Sequence, residues 1–123
     1  MSDPNFVLLY VDDPSASVRF YSDLLGHQPV DASPDFAMFR LASGVMLGLW
    51  SKHTAEPKPA ATGGGTELGF PEQTMENLRA TFRRWSEKGL KIVQPVTQMN
   101  FGHTFVALDP DGHRLRAFVP TGN

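Results

Sequence analysis

The feature that most limits the fold is an order of elements that occurs twice along 123 residues. In the first pass, residues 6–11 form an apolar run of strand formers that stops at Asp12-Asp13-Pro14. An acidic cap accepts the free N–H groups of a first helical turn, and a proline just inside it has no N–H to leave unpaired, so the triplet predicts a helix start. Val18, Tyr21 and Leu25 follow at helical spacing, with Phe20 and Leu24 widening the face, until Gly26 ends the helix. Strands are then expected around 27–31, over 36–41 and over 45–50, with turns at Ser33-Pro34-Asp35 and Ala42-Ser43-Gly44. The second pass repeats this. Residues 67–70 read as a strand, Thr74 as a helix cap, Met75, Leu78, Phe82 and Trp85 as a core-facing stripe, and Gly89 as the stop. Strands over 90–96, 103–108 and 114–119 complete it, the last two joined by the turn Asp109-Pro110-Asp111-Gly112. Gly26 thus corresponds to Gly89, Leu41 to Leu108 and Gly44 to Gly112.

Between the copies, residues 51–65 are rich in Ser, Lys, Pro, Ala, Thr and Gly and hold no periodic apolar face, so they read as a linker. Gly63-Gly64-Gly65 is not a phosphate loop, because no Lys-Ser/Thr pair or helix start follows in the required place. The expectation is one domain, 1–123, with module one at about 5–50, a linker at about 51–65 and module two at about 66–119. One strand-helix-three-strand unit has a sheet face it cannot bury alone. The expected fold is therefore α+β, with two tandem βαβββ modules forming a paired curved sheet, a central groove and helices outside. A single ferredoxin-type sheet would explain one half but not its matched second.

Composition narrows the function. A net charge of -2, with 41% hydrophobic and 20% charged residues, gives no basic patch for nucleic acid. The absence of cysteine removes disulfides and thiolate metal sites, so any metal would need His and carboxylate ligands. No signal-peptide pattern and no membrane-spanning apolar run is present, and the expected location is cytoplasmic.

Val11-Asp12-Asp13-Pro14 running into Phe20-Tyr21 and Leu24-Leu25-Gly26, together with Asp109-Pro110-Asp111-Gly112-His113, resembles the vicinal oxygen chelate superfamily. That superfamily includes glyoxalase I, ring-cleaving dioxygenases, fosfomycin-resistance enzymes and bleomycin-resistance proteins. Leu49-Trp50-Ser51, the Trp85 helix and Phe101-Gly102-His103-Thr104-Phe105 look most like its phenazine-antibiotic resistance and related metal-free drug-binding members. Metal-dependent members hold a divalent ion with His or Glu from four strand positions. The resemblance maps those positions onto Phe6, Gly48, Glu67 and Arg116. Only Glu67 there offers a ligand atom, and a guanidinium repels a cation, so Glu67 beside Arg116 reads as an ion pair or hydrogen-bonding pair, and the resemblance implies no metal and no other cofactor. His27, His53, His103 and His113 lack the spacing of a ligand pair and read as solvent-facing or capping residues, with His103 the one in a position to meet a ligand. No Ser-His-Asp or Cys-His arrangement is evident.

Side chains alternate across a strand, so Trp50 shares the face of Gly48, with Phe6 and Leu8 on the groove side of the first strand and Phe39 on the hairpin before Trp50. On spacing alone Trp50 is equally a core residue; in the drug-binding relatives a tryptophan here stacks on the ligand. Trp85 lies on its helical stripe and reads as core. Thr104 and Val106 occupy positions that face substrate in the fosfomycin-resistance relatives. An aromatic lining with Glu67, Thr104 and Arg116 as its polar points suits a planar aromatic ligand, whose carboxylate Arg116 would pair. The expected function is a metal-free protein that sequesters such a compound, of antibiotic type such as a phenazine. The alternatives are a metal-dependent glyoxalase- or dioxygenase-like enzyme of the same fold, or a metal-free enzyme with Glu67 as base. The resemblance also implies a homodimer, with no nucleic-acid or membrane partner.

Overall fold

The computed structural model describes residues 2–121. Strands β1 (Phe6–Val11), β2 (Asp31–Ala32), β3 (Phe36–Arg40) and β4 (Met46–Ser51) form one sheet, with helix α1 (Pro14–Leu25) between β1 and β2. Strands β5 (Glu67–Pro71), β6 (Lys91–Met99), β7 (Gly102–Leu108) and β8 (Arg114–Pro120) form the other, with α2 (Met75–Glu87) following β5. The sheet orders are β1-β4-β3-β2 and β5-β8-β7-β6. Each copy therefore makes the same sheet, a parallel pair at one edge and antiparallel pairs elsewhere. The chain divides into two compact units between Gly63 and Gly64.

The helix ends form as their sequences dictate. The Asp13 carboxylate accepts the N–H groups of Ser15 and Ala16 at 3.0 and 3.4 Å, and Pro14 opens α1. Gly26, at φ 80°, closes it in a left-handed conformation that other residues adopt at a cost. Thr74 caps α2 by accepting the Asn77 N–H at 3.0 Å. The buried side of α1 centres on Ser17 and Tyr21, and that of α2 on Leu78, Thr81 and Trp85. None of the described helices is long and apolar enough to cross a membrane.

In the first unit Leu9, Val11, Ala37, Phe39, Leu47 and Leu49 are buried on one sheet face. His27, just past α1, meets the Phe39 ring at 6.0 Å, which identifies this as the helix side. In the second unit Trp85 of α2 packs edge-on against Phe70 and Phe105, with ring centroids 5.1 and 5.3 Å apart, so Trp85 is core as its helical stripe required. The opposite face of each sheet is called its open face below.

Two strand expectations change. Residues 27–30 are not a strand, because Pro29 has no N–H for the ladder; only Asp31–Ala32 pairs with β3, and the Val30 N–H bonds to the Met38 carbonyl at 2.8 Å. β6 extends past Val96 to Met99, with a register shift between Gln94 and Thr97 where Pro95 interrupts the ladder. Residues 52–66 hold no helix or strand, yet the segment after β4 is pinned. Lys52 N–H bonds to the Val11 carbonyl at 2.8 Å, Ala55 N–H to the Ser51 carbonyl at 3.0 Å, and Ala55 is buried.

Candidate functional site

Register decides which side chains share the open face of the first unit. In the parallel pair Leu8 faces Gly48 and Tyr10 faces Trp50, and across β3 Phe36 faces Trp50 and Met38 faces Gly48. Phe6, Leu8, Gly48 and Trp50 therefore lie on one face, as alternation required. Tyr10, Trp50 and Phe36 form one cross-strand row, the Tyr10 ring 6.3 Å and the Phe36 ring 6.4 Å from Trp50, all three half-buried. In the next row Gly48 is buried beneath the side chains of Phe6 and Leu8. A Cβ there would lie 2.7 Å from Phe6 Cε1 and 2.8 Å from Leu8 Cδ1, so the Phe6 ring leans over a position only glycine leaves open. Phe6 itself is 42% exposed.

Phe39 does not belong to this face. It pairs with Leu47, is fully buried and lies on the helix side. The hairpin sets which residue of β3 opposes Trp50, and a shift of one residue exchanges the two faces, so Phe36 and Met38 take the place expected for Phe39. Tyr10 was legible as the next alternate residue after Leu8. Phe36 had no sequence signal, since the register of the β3–β4 hairpin was not fixed by its turn residues.

The open face of the second unit carries charge. Arg116 donates from Nε and one Nη2 hydrogen to the two oxygens of Glu67, at 2.7 and 3.0 Å, and from Nη1 to Gln94 Oε1 and Thr104 Oγ1, both at 3.2 Å. These bonds use four of the five guanidinium hydrogens. The guanidinium also lies 5.8 Å from the Phe101 ring centroid. Arg114 Nη2 reaches Glu67 Oε2 at 2.6 Å. The Arg116 hydrogen bond, opposed by desolvation and aided by the charges of Arg116 and Arg114, holds the Glu67 carboxyl below the ordinary glutamate range.

This clamp changes what Glu67 and Arg116 offer. A carboxylate whose two oxygens already accept guanidinium N–H groups, and whose proton affinity is lowered, makes a poor general base and a poor cation ligand. Phe6 and Gly48 supply no ligand atom and Arg116 carries a positive charge, so the four positions do not fit a divalent ion. Among the described residues no group of three or more His, Asp or Glu is placed to hold one. Arg116 has a single N–H left for a ligand carboxylate.

Thr104 and Val106 lie on this same open face, opposite Phe118 and Arg116, but both are fully buried. The Thr104 hydroxyl donates to the Ala117 carbonyl at 2.8 Å while accepting from Arg116. His103 alternates with Thr104 and so falls on the side of Phe105, away from Arg116. Sequence reasoning passed over Gln94, Phe101 and Arg114, which become visible only when β6 and the β6–β7 turn are set beside Arg116. The other histidines do not lie on the open-face strand positions of their own units. His27 is exposed beside α1, His113 is buried at the β7–β8 turn, and His53 Nε2 meets Asp12 Oδ1 at 2.7 Å.

A family model described as the Glyoxalase/Bleomycin resistance protein/Dioxygenase superfamily matches residues 4–117. The phenazine antibiotic resistance protein EhpR of Enterobacter agglomerans is 30% identical over 117 residues, which are 92% of this chain and 88% of EhpR. The solution structure of protein ATC0852 from Agrobacterium tumefaciens is 49% identical and has a TM-score of 0.91, with 99% of this chain and 100% of that one covered. A glyoxalase-related enzyme from Fulvimarina pelagi, 21% identical, shares the fold at a TM-score of 0.82 over 99% of this chain and 94% of its own. By its sequence match and by the strand order of both its units, the chain belongs to the glyoxalase/bleomycin resistance protein/dioxygenase superfamily.

Proposed function

We propose that this protein is a binding protein of the drug-resistance type, which holds a planar aromatic molecule, with phenazine as the model compound, against Trp50 and without a metal ion. The carrying observation is the half-buried row Tyr10, Trp50 and Phe36, beside which the Phe6 ring lies over Gly48. Such a row offers a broad apolar surface, with the Phe36 ring edge-on and the Tyr10 ring tilted by 35° beside the indole, and stacking on it adds about 0.5 to 1.5 kcal/mol beyond area burial. Likeness to EhpR, a phenazine antibiotic resistance protein, supports the class of ligand. The commitment of Glu67 to two arginines supports binding over metal- or base-assisted chemistry.

Titration with phenazine is expected to quench tryptophan fluorescence equally with and without a chelator. Trp50→Ala is expected to weaken binding, read by calorimetry, by at least about ten-fold, or about 1.4 kcal/mol. Equal binding by the variant would remove Trp50 from the site. Binding abolished by chelator would overturn the metal-free reading. The same reading takes the protein to act as a cytoplasmic homodimer, for which sedimentation of the intact chain is the check.

A further inference from the structure

A second site, lined by none of the open-face residues of the first unit, lies in the segment that follows β4. Its backbone is held by the bonds of Lys52 to Val11 and of Ala55 to Ser51, and the His53 N–H bonds to Ser51 Oγ at 3.2 Å. This folds residues 52–62 around a pocket of about 340 Å³, lined by Lys52, His53 and Lys58 on one side and by the run Pro59, Ala60, Ala61 and Thr62 on the other. The volume is that of a small-molecule site.

The charges of this wall are unequal. In a chain with 13 acidic and 11 basic residues, the pocket wall has two lysines and a histidine and no carboxylate. Asp12 stands beside it, bonded to His53 Nε2 at 2.7 Å and 3.9 Å from Lys52 Nζ. Those contacts hold the Asp12 carboxyl below its ordinary range, the His53 hydrogen bond being the largest cause. Glu56 lines the adjoining hollow together with His53 and Lys58. Asp12 thus offsets part of the charge of Lys52. Among the described residues Lys58 has no ion-pair partner, so an ammonium group at the pocket remains to be neutralised.

We propose that this pocket binds a small phosphomonoester, with the phosphate on Lys52 and Lys58 and the carbon portion against Pro59, Ala60 and Ala61. A lysine binds phosphate as a point charge that needs no fixed fork, which suits two ammonium groups on a loop wall. Thr62 adds a hydroxyl that hydrogen-bonds to a phosphate or sugar oxygen.

The test follows backbone amide shifts of the intact protein during titration with phenyl phosphate, inorganic phosphate and phenol. Phenyl phosphate is expected to move the amides of residues 52–62 and to bind more tightly than inorganic phosphate, while phenol moves none of them. Lys58→Gln is expected to weaken phenyl phosphate by about five- to ten-fold, and the Lys52→Gln/Lys58→Gln pair to abolish saturation below about 10 mM. Lys91→Gln, the same charge change on β6, is expected to leave binding unchanged. Shifts centred elsewhere, no saturation in the parent protein, or an equal loss in Lys91→Gln would overturn the site. Equal affinity for inorganic phosphate and phenyl phosphate would overturn the assignment of an ester.

Discussion

In the first unit the middle of the open face is Gly48, opposite Leu8, with the Phe6 ring leaning over it. At the matching place in the second unit stands Arg116, and here the glycine is on the neighbouring strand, Gly69, with the Phe118 ring 3.3 Å from where its Cβ would be. Each parallel pair thus matches one long side chain with one glycine, but the two units place the glycine on opposite strands of the pair. Where the glycine falls on the central strand, the Phe6 and Leu8 side chains of the edge strand lie over it and the face is apolar. Where it falls on the edge strand, the central strand is free to carry an arginine, which reaches Glu67, Gln94 and Thr104. Steric complementarity is kept in both copies, while the chemistry of the two faces has diverged.

The largest expected effect separates the two tryptophans. Trp85→Ala removes a side chain that is 3% exposed and packed on Phe70 and Phe105, and is expected to cost about 3–5 kcal/mol in chemical denaturation. Trp50→Ala, on a half-buried face, is expected to cost about 1 kcal/mol while weakening ligand binding by at least about ten-fold. Similar costs at the two positions would place Trp50 in the core and break the contrast between an open and a committed aromatic.

The charged face is sharpened by a double-mutant cycle. Arg116→Ala is expected to cost about 2–3 kcal/mol, because it leaves Gln94, Thr104 and a partly buried Glu67 without their shared donor. Glu67→Gln, at 31% side-chain exposure, is expected to cost about 1 kcal/mol, and the pair to show coupling of similar size. The sign of the pH dependence follows from the lowered carboxyl. The stabilisation from Glu67 is fully present above the carboxyl's unfolded-state value and is lost as pH falls through its depressed folded-state value. The stability difference between the parent and Glu67→Gln is therefore expected to shrink in acid. A difference independent of pH would mean that the clamp is not ionic.

The smallest effect compares the two glycines. Gly48→Ala must displace the Phe6 and Leu8 tips, 2.7 and 2.8 Å from the new Cβ, and is expected to cost about 1 kcal/mol, relieved when combined with Phe6→Ala. Gly69→Ala, with its nearest contact at 3.3 Å, is expected to cost less. The reverse order would show that the Phe6 ring yields more readily than that of Phe118.

Much of the fold was legible because its signals are local. Asp13, Gly26 and Thr74 act within one turn of their own helices, and the stripe of Trp85 is set by helical period alone. The faces of β1 and β4 also followed from alternation once Trp50 was aligned with Gly48. Phe39 was misplaced because its face depends on a hairpin register that only pairing with β4 fixes. The pairing of Glu67 with Arg116 was legible once the matched halves set a carboxylate beside a guanidinium, and the structure shows it; the further bonds of Arg116 to Gln94 and Thr104 and of Arg114 to Glu67 were not, because no local pattern brings those strands together.

The parallel edge pairs also bear on the order in which each unit assembles. The strands β7 and β8 are joined by a turn that ties itself together, with Asp109 Oδ1 accepting the N–H groups of Asp111 and His113 at 2.8 and 2.9 Å. Pairing Phe6 with Met46 or Glu67 with Arg114 instead closes a loop that contains a whole helix and two strands. Loop-closure entropy makes such long-range contacts late to form, and an edge strand bonded on one side is early to open. The first strand of each unit is therefore expected to dock after the hairpin strands it pairs with, although the ribosome makes it first.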